Sequence, residues 1–314
     1  MIRVNGAHFA LSLLRTISKM QLKAPQNNQL KGWILGILGI LTLSPDTLII
    51  RLVDSDPWTF IAWRGAFMAI GMLFILGLSY RLQVFSKFFA VGWLGCLIAV
   101  IFSINNVFFQ LSVQTTAVAN TLVIVATSPL FAAVMSVLFL KERIKNTTWG
   151  VILISVIGVS IVFIGKLESG DLFGNFAALL VAVGMGAHFV LVRLARPTDM
   201  APAVAIASVL TCLVGLVMAP DLYLSPHQFG YLAALGLILL PVSFIFLTRA
   251  PIYITAPEVS LILLLETILG PLWVWMVIQE EPPLATLIGG ALIMLTLVFH
   301  AVASIRDNQN KPNQ

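Results

Sequence analysis

The sequence predicts an all-α integral membrane protein, with ten transmembrane helices arranged as two inverted five-helix repeats. Three observations carry that expectation. Hydrophobic residues make up 59% of the 314-residue chain and charged residues only 10%, and the mean hydropathy is +1.01. A soluble domain carries roughly 25% charged residues, so this chain lacks the material for an ordinary wetted surface. Apolar runs of spanning length recur from one end of the chain to the other. Polar interruptions also recur at a fixed distance. Ser128-Pro129 breaks a run that stops at Lys141-Glu142-Arg143, and Glu266-Thr267 breaks one that stops at Gln279-Glu280-Glu281. The second set follows the first by 138 residues, and from Ser128 to Glu142 and from Glu266 to Glu280 the spacing is 14.

Crossing about 30 Å of hydrocarbon takes roughly 20 helical residues. Spans are expected at 32–50, 57–79, 89–113, 117–140, 148–165, 172–193, 201–219, 229–249, 257–278 and 284–304. A turn near Gln114–Thr116 separates the third from the fourth, and one near Pro251–Pro257 separates the eighth from the ninth. The polar, basic segment before residue 30 has its apolar stretch broken by Arg15 and Lys19, which does not fit a signal peptide. Residues 8–20 are expected to form a short amphipathic helix on the membrane surface. The chain therefore divides into a tail at 1–29, a first repeat at 30–165, a second at 166–304 and a C-terminal tail at 305–314.

Basic residues fix the expected orientation. With the N-terminus inside, the cytoplasmic segments hold Arg3, Arg15, Lys19, Lys23, Lys31, Arg81, Lys87, Lys141, Arg143, Lys145, Arg193, Arg196, Arg249, Arg306 and Lys311. The outer loops hold only Arg51 and Lys166, and Arg64 lies within a span. This bias obeys the positive-inside rule, and adding or removing one span would scramble it. Both termini are expected in the cytoplasm and the protein in the cell (inner) membrane. The net charge of +5 is thus a topological signal. No basic stripe points to nucleic acid, so membrane lipid and a small-molecule substrate are the expected partners, with a homodimer left open.

Soluble catalytic signatures are missing. Cys96 and Cys212 sit inside apolar runs, far from any CxxC spacing, and are expected to be small buried residues. His8, His188, His227 and His300 form no HExxH, and the chain has neither a Walker loop nor a GxSxG elbow. No cofactor, metal or catalytic residue is expected.

The two halves share polar positions more than bare identity. Offset by 142, Gly32 meets Gly174, Arg51 meets Arg193 and Asp46 meets His188. Offset by 138, Asn105 meets Ser243 and Asn120 meets Glu258. Five spans per half is an odd number, so the halves face opposite ways, a common construction in transporters. The stretch from Ala117 to Arg143 (AVANTLVIVATSPLFAAVMSVLFLKER) resembles the fourth span and following loop of EamA-type transporters in the drug/metabolite transporter superfamily. The fifth span from Trp149-Gly150, Ala256-Pro257-Glu258, Leu265-Glu266 and Glu280 are similar to other EamA segments. The resemblance extends over residues 30–305. It implies ten helices, cytoplasmic termini, a central cavity between the halves with alternating access, and transport of small metabolites without ATP. One departure concerns the ninth span, where Thr267 stands at a position often held by proline and Pro271 comes later.

Ionisable groups within spans cost at least about 2.5–3.5 kcal/mol each, so they normally face a cavity or a partner. At about 1.5 Å per residue, Asp46 and Arg64 both fall roughly 6–7 Å to the outer side of the midplane on adjacent spans. They are expected to form an ion pair. Arg64 then either anchors an anionic substrate group, with Asp46 tuning it, or the pair only clamps two helices. Glu266 falls near the midplane and is the candidate proton-coupling site, the alternative being a carboxyl that joins two helices. His188, beside Gly184 and Gly186, is a functional candidate through its repeat relation to Asp46, and Glu258 reads as an interfacial residue at a helix N-terminus. Of the adjacent Asn105 and Asn106, one is expected to face the cavity and the other a neighbouring helix. Asn120 and Ser128 mark the fourth span. Gly32, Gly36 and Gly39 suit close helix packing, and Trp33, Trp58 and Trp149 read as interfacial anchors.

These features point to a secondary active transporter, an exporter of a small metabolite or drug-like solute, with proton coupling at Glu266. A passive facilitator or channel is the first alternative, although no repeated filter or charged ring is visible. An intramembrane enzyme is the second and would need more than His188 within the spans.

Overall fold

The computed structural model describes residues 29–53, 55–115, 118–162, 172–196, 198–279 and 284–309. The expected surface helix at 8–20, the Lys166–Asp171 loop and Glu280–Glu281 lie outside the described residues. Among those residues every regular element is helical, as an all-α integral membrane protein requires. Among the described residues nine stretches are long and apolar enough to cross a membrane, and Asn146–Ile161 is a shorter apolar helix where the fifth crossing is expected.

The first crossing is made by α1 (Gln29–Leu43) and α2 (Asp46–Val53), and the second by α3 (Pro57–Tyr80). The Asp56 carboxylate accepts hydrogen bonds from the Trp58 and Thr59 amides, with Pro57 opening the helix. Asp56 thus satisfies amides that have no partner within the helix. A short α4 (Val84–Ala90) follows, bracketed by left-handed Arg81 (φ 49°) and Gly92 (φ 54°). It displays Phe85 and Phe89 on the surface, and Leu82 in the turn before it is exposed as well. The third span, expected at 89–113, begins after the Gly92 reversal as α5 (Gly92–Thr115), and the helix before it was not expected.

The fourth crossing comprises α6 (Val118–Val125) and α7 (Ser128–Met135), extended by a wide turn over Ser136–Leu140, and α8 (Asn146–Val162) follows. The second half comprises α9 (Leu172–Leu194), α10 (Ala201–Met218), α11 (Pro226–Ala234), a second wide turn over Leu235–Leu239, and α12 (Leu240–Arg249). It continues with α13 (Ala256–Leu263), α14 (Glu266–Ile278) and α15 (Leu284–Gln309).

The main pairings are α3 with α10, α5 with α9 and with α10, α1 with α12, and α8 with α15. With α8 and α15 counted as the expected fifth and tenth crossings, exchanging the first five for the last five carries α5–α10 onto α3 with the Leu235–Leu239 turn, which also pack together, and the other pairs onto one another. The pairs α3–α10 and α8–α15 map onto themselves, and α5–α9 maps onto α12–α1. The core runs through the centre of the bundle, with Phe60, Phe67, Met72, Phe102, Leu240 and Phe244 among its members. Between apolar helices in lipid, close packing supplies the attraction, and small residues allow it. Gly65 lies against the backbone of Cys212, where an added Cβ would stand 2.5 Å from its amide nitrogen, and Gly215 lies equally close to Ala62. Gly32, Gly36 and Gly39 pack against Ile254, Ile262 and Leu247 as expected.

Side-chain contacts join alternate ends of successive crossings. Tyr80, Asp199 and Arg249 meet at one end, where Lys31 also lies over the Tyr253 ring. Thr59, Trp63 and Val53 meet the 221–228 segment at the other. We call the former the basic end. Two expectations fail here. Trp33 is buried edge-on to His300, with ring centroids 6.0 Å apart, and so belongs to the core. Cys96 is exposed, because an apolar surface is normal for a helix that faces lipid.

Candidate functional site

Three crossings are interrupted near mid-length. α1 ends at Leu43 and α2 restarts at Asp46, α6 ends at Val125 and α7 restarts at Ser128, and α13 ends at Leu263 and α14 restarts at Glu266. At the first two breaks Pro45 and Pro129 lack the amide hydrogen that would continue the helix. The third has no proline. There the Leu264 and Leu265 amides bond three residues back, to Leu261 and Ile262, and the Thr267 hydroxyl donates to the Leu264 carbonyl at 2.7 Å. Thr127 makes the matching side-chain bond to Ile124 at 2.6 Å. The backbone bonds Thr127 to Ile124 and Leu265 to Ile262 are both 3.0 Å, and they are 138 residues apart in sequence. The helix thus breaks at Glu266 without proline.

A cavity of about 840 Å³, mouth included, lies among these breaks. Asp46, Ser128 and Glu266, the first residues of the three restarting helices, all line it. Arg64, Asn105, Asn106 and Thr267 complete its polar wall, and Phe102, Phe109, Met185 and Phe244 contribute apolar surface. Six of the eight residues singled out from the sequence therefore converge on one cavity: Asp46, Arg64, Asn105, Asn106, Ser128 and Glu266.

The expected ion pair is present, with Arg64 Nη2 2.7 Å from Asp46 Oδ2 and side-chain exposures of 11% and 6%. It leaves Asp46 Oδ1 and Arg64 Nε buried without a hydrogen-bond partner. Desolvating both charges is costly, and the attraction offsets that cost only while both partners remain. Asn105 and Asn106 both line the cavity, which corrects the expectation that one would turn away. Neighbouring helical residues point about 100° apart, and the cavity is broad enough to take both. Asn106 donates to the Phe102 carbonyl at 2.8 Å. The Asn105 amide oxygen rests on Gly184, where a Cβ would come within 2.0 Å of it.

His188 is absent from the lining. It is buried between Phe102 and Phe189, with ring centroids 5.0 and 5.2 Å away, and Phe102 in turn packs on Phe244 at 4.7 Å. These rings form a floor between the cavity and the basic end. Glu258 does not meet His188 either. It caps α13 through the Thr255 amide at 2.7 Å, accepts from Ser304 at 3.0 Å, and lies 3.6 Å from His300. The Asn120 side chain lies outside the described residues. A contact missed from the sequence is Trp273 Nε1 donating to Ser44 Oγ at 2.8 Å, which ties α14 to the first break. The available signal was Ser44-Pro45, the same dipeptide as Ser128-Pro129. Among the described residues no cluster of His, Cys, Asp and Glu is placed to hold a metal.

Residues 23–164 match the EamA-like transporter family. Over that stretch, a little under half of its length, the chain is similar to EamA-like transporters. The chain is 27% identical over 218 residues to the uncharacterized transporter YdfC of Bacillus subtilis, covering 67% of this chain and 69% of that one. It is 25% identical over 184 residues to the pseudopaline exporter CntI of Pseudomonas aeruginosa, covering 57% and 64% respectively. A solved crystal structure superposes with a TM-score of 0.73 at 17% identity, over 88% of this chain and 99% of that one. At that identity the likeness speaks for the fold alone. The family match covers residues 23–164, whereas the superposition takes in 88% of the chain.

Proposed function

We propose that this EamA-type protein is a secondary active transporter that exports a small polar or amphipathic solute by alternating access. The observation that carries this reading is the cavity at the meeting point of three broken helices, lined by Asp46, Arg64 and Glu266 together with phenylalanines. Such a lining suits a solute with a charged or polar head and an apolar body. The exchange pattern of helix pairings and the matching breaks at Thr127 and Leu265 support two inverted repeats, 30–165 and 166–304. Two packings of similar energy related by the repeat are the usual basis of alternating access.

The orientation follows the lysines and arginines, with the basic end in the cytoplasm of the cell membrane. Export is favoured by the relative named as an exporter. Glu266 is the coupling site in this scheme, because it is a titratable group at a helix break inside the cavity. Uptake of a metabolite panel into proteoliposomes under an imposed pH gradient tests the proposal. Accumulation above equilibrium that collapses with the gradient is the expected result. Equilibration that never exceeds the outside concentration, with or without a gradient, would leave a passive facilitator instead.

A further inference from the structure

The Lys141-Glu142-Arg143 stop that marks the end of the fourth crossing takes no part in the cavity. Glu142 instead joins a cluster at the basic end, centred on Arg193 at the end of α9. Arg193 Nε donates to both carboxylate oxygens of Glu142, at 2.7 and 2.9 Å. Its Nη1 donates to the carbonyls of Pro251 and Ile254, in the connection between α12 and α13. One guanidinium, 8% exposed, thus binds the loop after α7 and the connection before α13 to the end of α9. Arginine suits this work because its donors form a rigid planar fork that can serve several acceptors at once. Arg196 adds a weaker contact to Glu142 at 3.7 Å.

The elements tied together are the basic-end portions of α7, α9 and α13, and the same crossings contribute Ser128, Met185 and Glu266 to the cavity. Between cavity and cluster lies the floor of Phe102, Phe244, His188 and Phe189. A solute leaving the cavity toward the basic end must pass the floor and then part these three elements. Parting them would break the Arg193 bonds to Glu142, Pro251 and Ile254 as well as the packing between the helices.

We infer that Arg193 and Glu142 form the inner gate latch of the transporter, holding the cavity shut on its basic side. The inference rests on the alternating-access reading above and is tested separately from it. In a background with Cys96→Ala and Cys212→Ala, Val125→Cys on the cavity wall reports access to a membrane-impermeant maleimide. Labelling rates are compared in right-side-out and inside-out vesicles, and Glu142→Gln is added to the same background. Loss of one charge-assisted hydrogen-bonding partner from the closed arrangement alone is expected to raise the ratio of inner-face to outer-face labelling about tenfold. If Glu142→Gln is not monodisperse in size-exclusion chromatography, Arg193→Lys carries the same test, since a lysine keeps the charge but cannot hold a carboxylate and two carbonyls together. Reporter labelling from both faces with a ratio unmoved by either variant overturns the latch and leaves alternating access standing. Labelling from one face only, under every gradient and in every variant, overturns both.

Discussion

Lys141 and Gln279 are both left-handed, with φ of 54° and 63°, and each closes the helix that follows a break. They are separated by the same 138 residues as the two breaks. Apart from Arg81, no other non-glycine residue among those described has positive φ. Left-handed backbone costs a side-chain-bearing residue roughly 1–2 kcal/mol, and glycine is the ordinary solution at this position after a helix. Lys141→Gly and Gln279→Gly are each expected to stabilise the detergent-solubilised protein by about 0.5–1 kcal/mol. Thermal denaturation of the two variants checks this, and a loss of stability in both would contradict it.

The Asp46–Arg64 pair predicts an asymmetric mutational pattern. Asp46→Asn leaves the buried guanidinium uncompensated, a change that typically costs about 3–5 kcal/mol. Asp46→Asn combined with Arg64→Gln should be milder than Asp46→Asn alone. Denaturation of the single and double variants measures the coupling between them, and additive effects would mean the pair makes no energetic contact.

Glu266→Gln keeps the shape of the side chain and removes its titration. If Glu266 couples solute movement to protons, the variant should still exchange solute across the proteoliposome membrane but lose gradient-driven accumulation. Retained uphill transport in Glu266→Gln would assign the coupling elsewhere.

Glycines at helix contacts separate sharply by environment. At Gly65 a methyl group would meet backbone atoms that cannot move aside, whereas at Gly77 it would meet nothing within 4 Å. Gly65→Ala should therefore destabilise α3 against α10. Gly77→Ala should stabilise by about 0.5–1 kcal/mol, because alanine loses less backbone freedom in a helix. Thermal melts of the two variants should move in opposite directions.

Asp199, in the loop between α9 and α10, accepts hydrogen bonds from Tyr80 at 2.7 Å and Arg249 at 2.8 Å, and from the Ala201 amide at 3.0 Å. Burial pushes its carboxyl pKa up, but Arg249, the Ala201 amide and Tyr80 together outweigh burial and hold it below the ordinary value. A depressed folded-state pKa means that its contribution is present above the unfolded value and is lost as pH falls through the folded one. Asp199→Asn should therefore remove part of the acid sensitivity of the solubilised protein. Identical acid denaturation profiles for variant and parent would refute this.

Most crossings and the Asp46–Arg64 pair were legible in the sequence because lipid imposes length, and length along a helix gives depth. Rotation about the helix axis was not legible. His188 stands on the correct span, yet it faces an aromatic floor and not the cavity, and Trp33 turns inward toward His300. The break at Pro45 was hidden because the run around it reads as one span, although its Ser-Pro pair matches the one at Ser128. Arg193 looked like an orienting charge, and no spacing could reveal that it reaches carbonyls 58 and 61 residues further along the chain.

The contact of Gly65 with Cys212 and of Gly215 with Ala62 has a mechanical corollary. These residues lie on α3 and α10, the second crossing of each half, and their backbones approach with no side chain between them. Backbone lies against backbone there with little room to slide, so in the proposed alternating-access scheme this contact is the natural pivot. The α3–α10 crossing then serves as a fulcrum. Displacement grows with distance from it, and a methyl group added at Gly65 or Gly215 would shift the pivot before it altered any residue that a solute touches.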